Sequence, residues 1–187
     1  VLWIFWKKEK YSMKKNFFIL GIVSVIFFFF IVFYLGLDKE NTYEPNIVTN
    51  KKIESFTAEK LFEDGQVKSD NIFSENKVYL LNIWASWCLP CQKEHDFLMQ
   101  LKNTHSIEII GLNYKDKLSN ARKFIEELGN PYALSLRDKD GTIAILFGAY
   151  GLPETYIIKD KKIIKKYIGP IDNKSIKEII TYTKWNI

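Results

Sequence analysis

The chain holds two cysteines, and they stand three residues apart in Trp87-Cys88-Leu89-Pro90-Cys91. An apolar, β-rich run, Val78-Tyr79-Leu80-Leu81-Asn82-Ile83-Trp84, leads into them, and an amphipathic stretch from Gln92 to Lys102 leads away. A strand that ends in a Cys-x-x-Cys turn and continues as a helix predicts a dithiol redox site. Residues i and i+3 of a first helical turn share a face, so two thiols there reach disulfide geometry without moving the backbone. The free N–H groups and dipole of the helix start favour negative charge, which favours a thiolate at Cys88. Cys88 is then the attacking thiol and Cys91, one turn deeper, the resolving one. Pro90 suits an early helical position and fixes the turn.

Other uses of two cysteines fit less well. A structural zinc site needs four ligands, and only His95 and His105 could join, at a spacing unlike that of zinc motifs. Covalent haem attachment needs a histidine after the second cysteine, where this chain has Gln92. A purely structural disulfide across two residues would gain little from loop entropy. Cu(I) suits thiolates, but no methionine-rich or histidine-spaced segment accompanies the pair. The reading therefore calls for no metal and no cofactor beyond the redox-active disulfide.

Phe17 to Leu37 is an uncharged run of 21 residues. At about 1.5 Å per residue, a helix of that length matches a hydrocarbon core of about 30 Å. Residues 1–16 carry five lysines and one glutamate, so +4 of the net +5 sits ahead of this run. Lysine excess on that side predicts a cytoplasmic N-terminal tail and a domain across the membrane. The run is longer than a signal-peptide core and closes in Phe33-Tyr34-Leu35-Gly36-Leu37, without a small-x-small cleavage pattern. An uncleaved anchor is expected. Met13-Lys14-Lys15 resembles a natural start, which would make residues 1–12 an upstream extension. The rest of the chain is nearly neutral, which excludes a nucleic-acid footprint.

Residues 38–52 are polar, include Pro45 and read as a tether; residues 53–187 read as one domain. Val78–Trp84 and Ile107–Leu112 read as buried strands, and Leu89–Lys102 as a helix between them. Ser119 is the expected N-cap of a helix that Gly129-Asn130-Pro131 stops after Leu128. Thr155–Ile158 and Ile163–Ile168 read as a hairpin about Asp160-Lys161. Asp172 or Asn173 caps a last helix. This order predicts an α/β domain whose mixed sheet is flanked by helices.

The string Leu81-Asn82-Ile83-Trp84-Ala85-Ser86-Trp87-Cys88-Leu89-Pro90-Cys91-Gln92-Lys93-Glu94-His95 resembles the active-site segment of the cytochrome c biogenesis thiol:disulfide interchange proteins, the DsbE/CcmG family. Three further blocks follow in family order: Gly111 to Asp116, Leu128 to Leu136, and Tyr150-Gly151-Leu152-Pro153-Glu154-Thr155. The resemblance spans about residues 78–170. It implies a thioredoxin-like fold anchored in a bacterial inner membrane and facing the periplasm. It implies reduction of the haem-attachment cysteines of apocytochrome c. A DsbD/CcdA-type membrane donor and other cytochrome c maturation proteins are the implied partners. By position, Pro153 would be a cis-proline facing the disulfide. Glu94 and Glu154 match acids that line the family's site, Tyr150 its tyrosine, and Gly129, Asn130 and Pro131 a loop beside the substrate groove. Trp87, Pro90, Leu152 and Pro153 would complete that groove. Leu89-Pro90 between the cysteines and Leu152 before the proline depart from the commoner family residues, which touches selectivity and redox potential more than fold.

From the residues alone, Glu94 sits three positions after Cys91 and reads either as a base for it or as a solvated helix carboxylate. Glu154 has the same alternative as a loop acid. Trp84 reads as core, and Trp87 as a shield over the disulfide. His95 reads as a helix-surface or capping residue, and Lys115-Asp116-Lys117 as a solvated loop. The leading function is an anchored apocytochrome reductant. The alternatives are a general or copper-site-directed anchored reductase and a non-enzymatic Cu(I) chaperone. A peroxidase would need a different cysteine context.

Overall fold

The computed structural model describes residues 2–37, 50–105 and 107–184. Residues 38–49 of the expected 38–52 tether, and the side chains of residues 2–16, 36, 37, 104, 105 and 184, lie outside that description. Two units divide the chain, Val1–Pro45 and Asn46–Ile187. The first contains helix α1, Leu2–Leu37, which begins well before Phe17. Its segment Phe17–Leu35 is long and apolar enough to cross a membrane, and every side chain there is exposed.

The second unit follows the order β1 (Thr57–Lys60), β2 (Gln66–Lys68), α2 (Ser69–Ile72), β3 (Val78–Trp84), α3 (Leu89–His105), β4 (Glu108–Tyr114), α4 (Leu118–Leu128), β5 (Leu134–Asp138), α5 (Thr142–Leu146), β6 (Glu154–Lys159), β7 (Lys162–Ile168) and α6 (Asn173–Lys184). Its strands form one sheet in the order β2-β1-β5-β4-β3-β6-β7. β3, β4 and β5 are parallel, while β6, β7, β1 and β2 add antiparallel. The interior strand β3 is buried on both faces, as its near-continuous apolar run requires. Leu80 and Trp84 point to the face covered by α3, α4 and α6, with Leu98, Leu101, Phe124 and Ile179. Tyr79, Leu81 and Ile83 point to the face covered by α2 and α5, with Phe73, Ile143 and Phe147. The period-two alternation of a strand thus feeds two separate cores from one segment.

The thioredoxin-like, mixed-sheet architecture matches the expectation, with local corrections. Ser119 does not cap α4: Lys117 holds the cap position without a side-chain bond, and Ser119 Oγ turns to Asn120. Asp172 caps α6, its carboxylate accepting from Ser175 N and Oγ, both at 2.8 Å. Lys51 and Lys52 are not free tether, because Asn50 N donates to Ile163 O and Lys51 O accepts from Ile163 N on β7, Ile53 N donates to Lys161 O in the turn before it, and Lys52 bridges Lys162. Three strands, β1, β2 and β5, join the sheet beyond those read from sequence. β1 and β2 are short and polar, so they carry no apolar run. β5 alternates as Leu134-Ser135-Leu136-Arg137, a pattern that period-two reading can recover.

Candidate active site

β3, an interior strand between β4 and β6, ends at Trp84, and α3 starts at Leu89. The turn between them holds Cys88 and the first turn of α3 holds Cys91, at the C-terminal end of the strand, where open α/β sheets place their sites. Cys88 and Cys91 form a disulfide with Cα atoms 5.3 Å apart. Cys91 N donates to Cys88 Sγ at 3.2 Å, a main-chain donor aimed at the sulfur that would carry negative charge after reduction. Beside the disulfide opens a cavity of about 420 Å³, lined by Trp87, Cys88, Leu89, Pro90, Tyr114, Ile145, Tyr150 and Leu152 among others. Cys88 lines it and Cys91 does not, so Cys88 is the sulfur that borders the open space.

Cys91 leads on, one helical turn later, to Glu94, which is 1% exposed. Its carboxyl accepts from Asn82 Nδ2 at 2.9 Å and from Ile171 N at 2.9 Å. Burial pushes Glu94 up to about 7, and the two donors hold it from rising further. A carboxyl that exchanges its proton near neutrality, one turn from the resolving cysteine, can take the thiol's proton. The dithiol turn, its main-chain donor and the tuned acid together make a two-electron thiol-exchange site.

Residues 49–167 match the AhpC/TSA family. The thiol:disulfide interchange protein DsbE of Escherichia coli (strain K12) is 40% identical over 131 residues, 70% of this chain and 70% of that protein. The chain belongs to the DsbE family of thiol:disulfide interchange proteins. CycY, a thiol:disulfide interchange protein of Rhizobium leguminosarum bv. viciae, is 45% identical over 105 residues, 56% of each chain. The thioredoxin domain of a thiol-disulfide oxidoreductase from Bacteroides vulgatus has the same fold, with a TM-score of 0.62 at 18% identity over 72% of this chain and 97% of that one. This DsbE-family chain is a disulfide oxidoreductase whose redox pair is Cys88–Cys91.

Of the expected groove residues, Trp87, Pro90, Tyr150 and Leu152 line this cavity. Trp87 is 58% exposed over the cavity, and its Nε1 donates to Lys115 O at 3.2 Å. Trp84 is core, stacked on Tyr132 and packed against Phe124. The Leu152–Pro153 bond is cis; Leu152 lines the cavity while Pro153 is buried behind it. Gly129, Asn130 and Pro131 do not line the cavity. They lean on α3 instead, with Lys102 Nζ on Asn130 O at 2.7 Å.

Three readings are corrected. His95 is not on the surface: it is buried, with Nε2 at 2.9 Å from Gly129 O, so it ties α3 to the loop after α4. Asp116 is not a solvated loop acid. It accepts from Ser86 N at 2.6 Å, Ser86 Oγ at 2.8 Å and Asn113 Nδ2 at 3.0 Å, clamping the approach to Trp87 and Cys88. Glu154 is not on a loop. It is the first residue of β6, fully buried, and paired with Lys166 at 2.9 Å.

Asn82, Tyr132, Thr155 and Lys166 belong to the site's support and escaped sequence reading as such. Asn82 is a buried amide whose Nδ2 serves both Glu94 and Thr155 Oγ1, and whose Oδ1 accepts from Tyr132 OH at 2.9 Å. A polar residue inside the apolar run Leu81-Asn82-Ile83 was the available signal, since a buried amide must find partners.

Proposed function

We propose that the chain is a membrane-anchored, periplasm-facing reductant of the Cys-x-x-Cys-His disulfide of apocytochrome c. The observation that carries this reading is Cys88 lining an apolar cavity, with Cys91 and Glu94 buried at the next two i+3 positions of the chain. The four sequence blocks that resemble the cytochrome c biogenesis family support the substrate. The exposed apolar segment Phe17–Leu35, with lysines before it, supports a single-pass inner-membrane anchor with its N-terminus in the cytoplasm.

The Cys88 thiolate attacks one sulfur of the substrate disulfide, that S–S bond breaks, and the departing thiolate takes a proton from water. Glu94 accepts the proton of Cys91, whose thiolate then attacks Cys88 Sγ. The mixed disulfide breaks, the second substrate sulfur leaves as a thiolate that takes a proton from water, Glu94 returns its proton to solvent, and the Cys88–Cys91 disulfide remains. Two electrons pass to the substrate per cycle. They are restored by a dithiol donor of the DsbD/CcdA type in the membrane, because the compartment itself keeps disulfides oxidised. The disulfide serves as the whole redox group, without metal or nucleic acid. Other cytochrome c maturation proteins are the remaining partners.

The test is Cys91→Ala in cells that make cytochromes c. The mixed disulfide at Cys88 cannot then resolve, and its partners are recovered and identified. Apocytochromes are expected; recovery of copper-site or unrelated periplasmic proteins alone would replace this substrate with a general or copper-directed one.

A further inference from the structure

Lys166 lies on β7, yet its ammonium is buried beneath the cavity wall. It accounts for three contacts there. Nζ pairs with Glu154 Oε2 at 2.9 Å, donates to Gly148 O at 2.9 Å, and sits 4.5 Å from the centre of the Tyr150 ring. Glu154 extends the same cluster in the other direction. Its Oε1 accepts from Tyr150 N at 3.2 Å and Gly151 N at 3.3 Å, and its Oε2 accepts from Tyr156 OH. The buried pair therefore grips residues 148–151 at one carbonyl, two amides and one ring. Ala149, Tyr150, Gly151 and Leu152 of this segment form one wall of the cavity beside Cys88.

A backbone irregularity puts Lys166 there. Ile157 pairs with Lys165 and Ile158 with Ile163, so Ile164 is an extra residue on β7. Strict alternation from Ile163 would turn Lys165 toward the α5 face. The bulge shifts the phase, and Lys166 faces Tyr156 and the loop instead. Bulges that re-aim one side chain beside a site are a recurrent device. A buried charge pair is a poor source of stability compared with apolar packing, so its value here is geometric.

We propose that Lys166 is a positioning residue of the thiol-exchange site, acting through Glu154 to latch the 148–152 wall against which the substrate chain is held. Glu154 serves this latch rather than carrying protons: its oxygens already face four donors, one of them the Lys166 ammonium. Proton transfer rests with Glu94 alone. The inference rests on the reductase reading and assigns to one side of its site the recognition of extended peptide, as opposed to small disulfides that need no wall.

The test uses the full chain in detergent, with two peptide disulfides: a haem-attachment Cys-x-x-Cys-His peptide and an unrelated Cys-x-x-Cys peptide. Lys166→Met is expected to raise KM for both peptides about fivefold to tenfold, with kcat within about twofold of the parent. Lys166→Arg should restore most of the loss, since it keeps the cation. Lys166→Met leaves Glu154 buried and unpaired and can unfold the domain. The double variant Glu154→Gln/Lys166→Met removes both charges, and its folding is checked by thermal unfolding. The folded double variant should show the same rise in KM, and Glu154→Gln alone should leave the pH–rate profile in place. A folded double variant with parental KM would overturn the latch. So would a Glu154→Gln variant whose pH–rate profile moves while KM stays put. A parent enzyme that reduces only the unrelated peptide would sink the apocytochrome reading and leave the latch to be judged on that peptide.

Discussion

Asn82 Nδ2 donates to Glu94 Oε1 at 2.9 Å, joining the strand that enters the cysteine turn to the helix that leaves it. The same amide nitrogen reaches Thr155 Oγ1 at 3.0 Å on β6, and the amide oxygen accepts from Tyr132 OH. One buried strand residue thus orients the acid from three elements. Full satisfaction is what makes such a network tolerable in a core.

Glu94 links this network to pH. Its carboxyl titrates at about 7, against an ordinary 4.5. Between those values the native state holds a proton that the unfolded chain has released. Its contribution to stability is therefore complete below about 4.5 and lost as pH rises through about 7. The upward shift corresponds to about 3 kcal/mol. Urea unfolding of the parent and of Glu94→Gln at about pH 5 and about pH 8 should differ by roughly that change. A gap that does not vary with pH would mean that the carboxyl titrates at its ordinary value.

The same carboxyl should govern resolution of the mixed disulfide. In stopped-flow measurements with a peptide disulfide, the resolution rate is expected to rise through about pH 7 as Glu94 becomes able to accept a proton. Glu94→Gln should lose that inflection and slow the step by about 10²-fold at neutral pH. An intact inflection would assign proton transfer to another group or to water.

Cys88 borders the cavity and receives the Cys91 N–H, whereas Cys91 is excluded from the cavity. After reduction, iodoacetamide should label Cys88 at least about tenfold faster than Cys91, read by peptide mass mapping. Equal labelling would reverse or abolish the division of roles.

Gly111 on β4 sits under the Tyr132 ring, and a Cβ built there would lie 2.7 Å from Tyr132 Cγ and 2.8 Å from both Cδ atoms. Gly111→Ala must push that ring off the strand and pull its hydroxyl from Asn82. A loss of about 1–3 kcal/mol in unfolding free energy is expected. The Asn82–Glu94 contact should also weaken, so the rate inflection of Glu94 should move with it.

Asp116→Ala removes the acceptor for Ser86 N and Ser86 Oγ, two residues before Cys88. An orphaned main-chain donor there costs about 1–3 kcal/mol. The segment that carries Trp87 over the cavity would loosen. Peptide disulfide reduction should fall more through KM than through kcat, and Asp116→Asn, which keeps an acceptor oxygen, should recover part of it. A Trp87 environment and KM identical to the parent would show that the clamp is irrelevant to exchange.

The cysteine spacing, the apolar run of β3 and the helical spacing of Phe97, Leu98 and Leu101 already determine the redox turn and its place between strand and helix. They do so because i, i+3 geometry and side-chain periodicity are local properties. The uncharged segment after the lysines is legible for the same reason: membrane-spanning capacity is a matter of length and composition. Which buried group meets which is non-local. Glu94 reads as either a base or a solvated acid until Ile171, 77 residues on, supplies its N–H, and Asn82 is only an odd residue in a strand until Tyr132 supplies its hydroxyl. Lys166 is the plainest case. Alternation along β7 assigns the inward position to Lys165, and only the bulge at Ile164, set by pairing with β6, turns Lys166 into the Glu154 pocket.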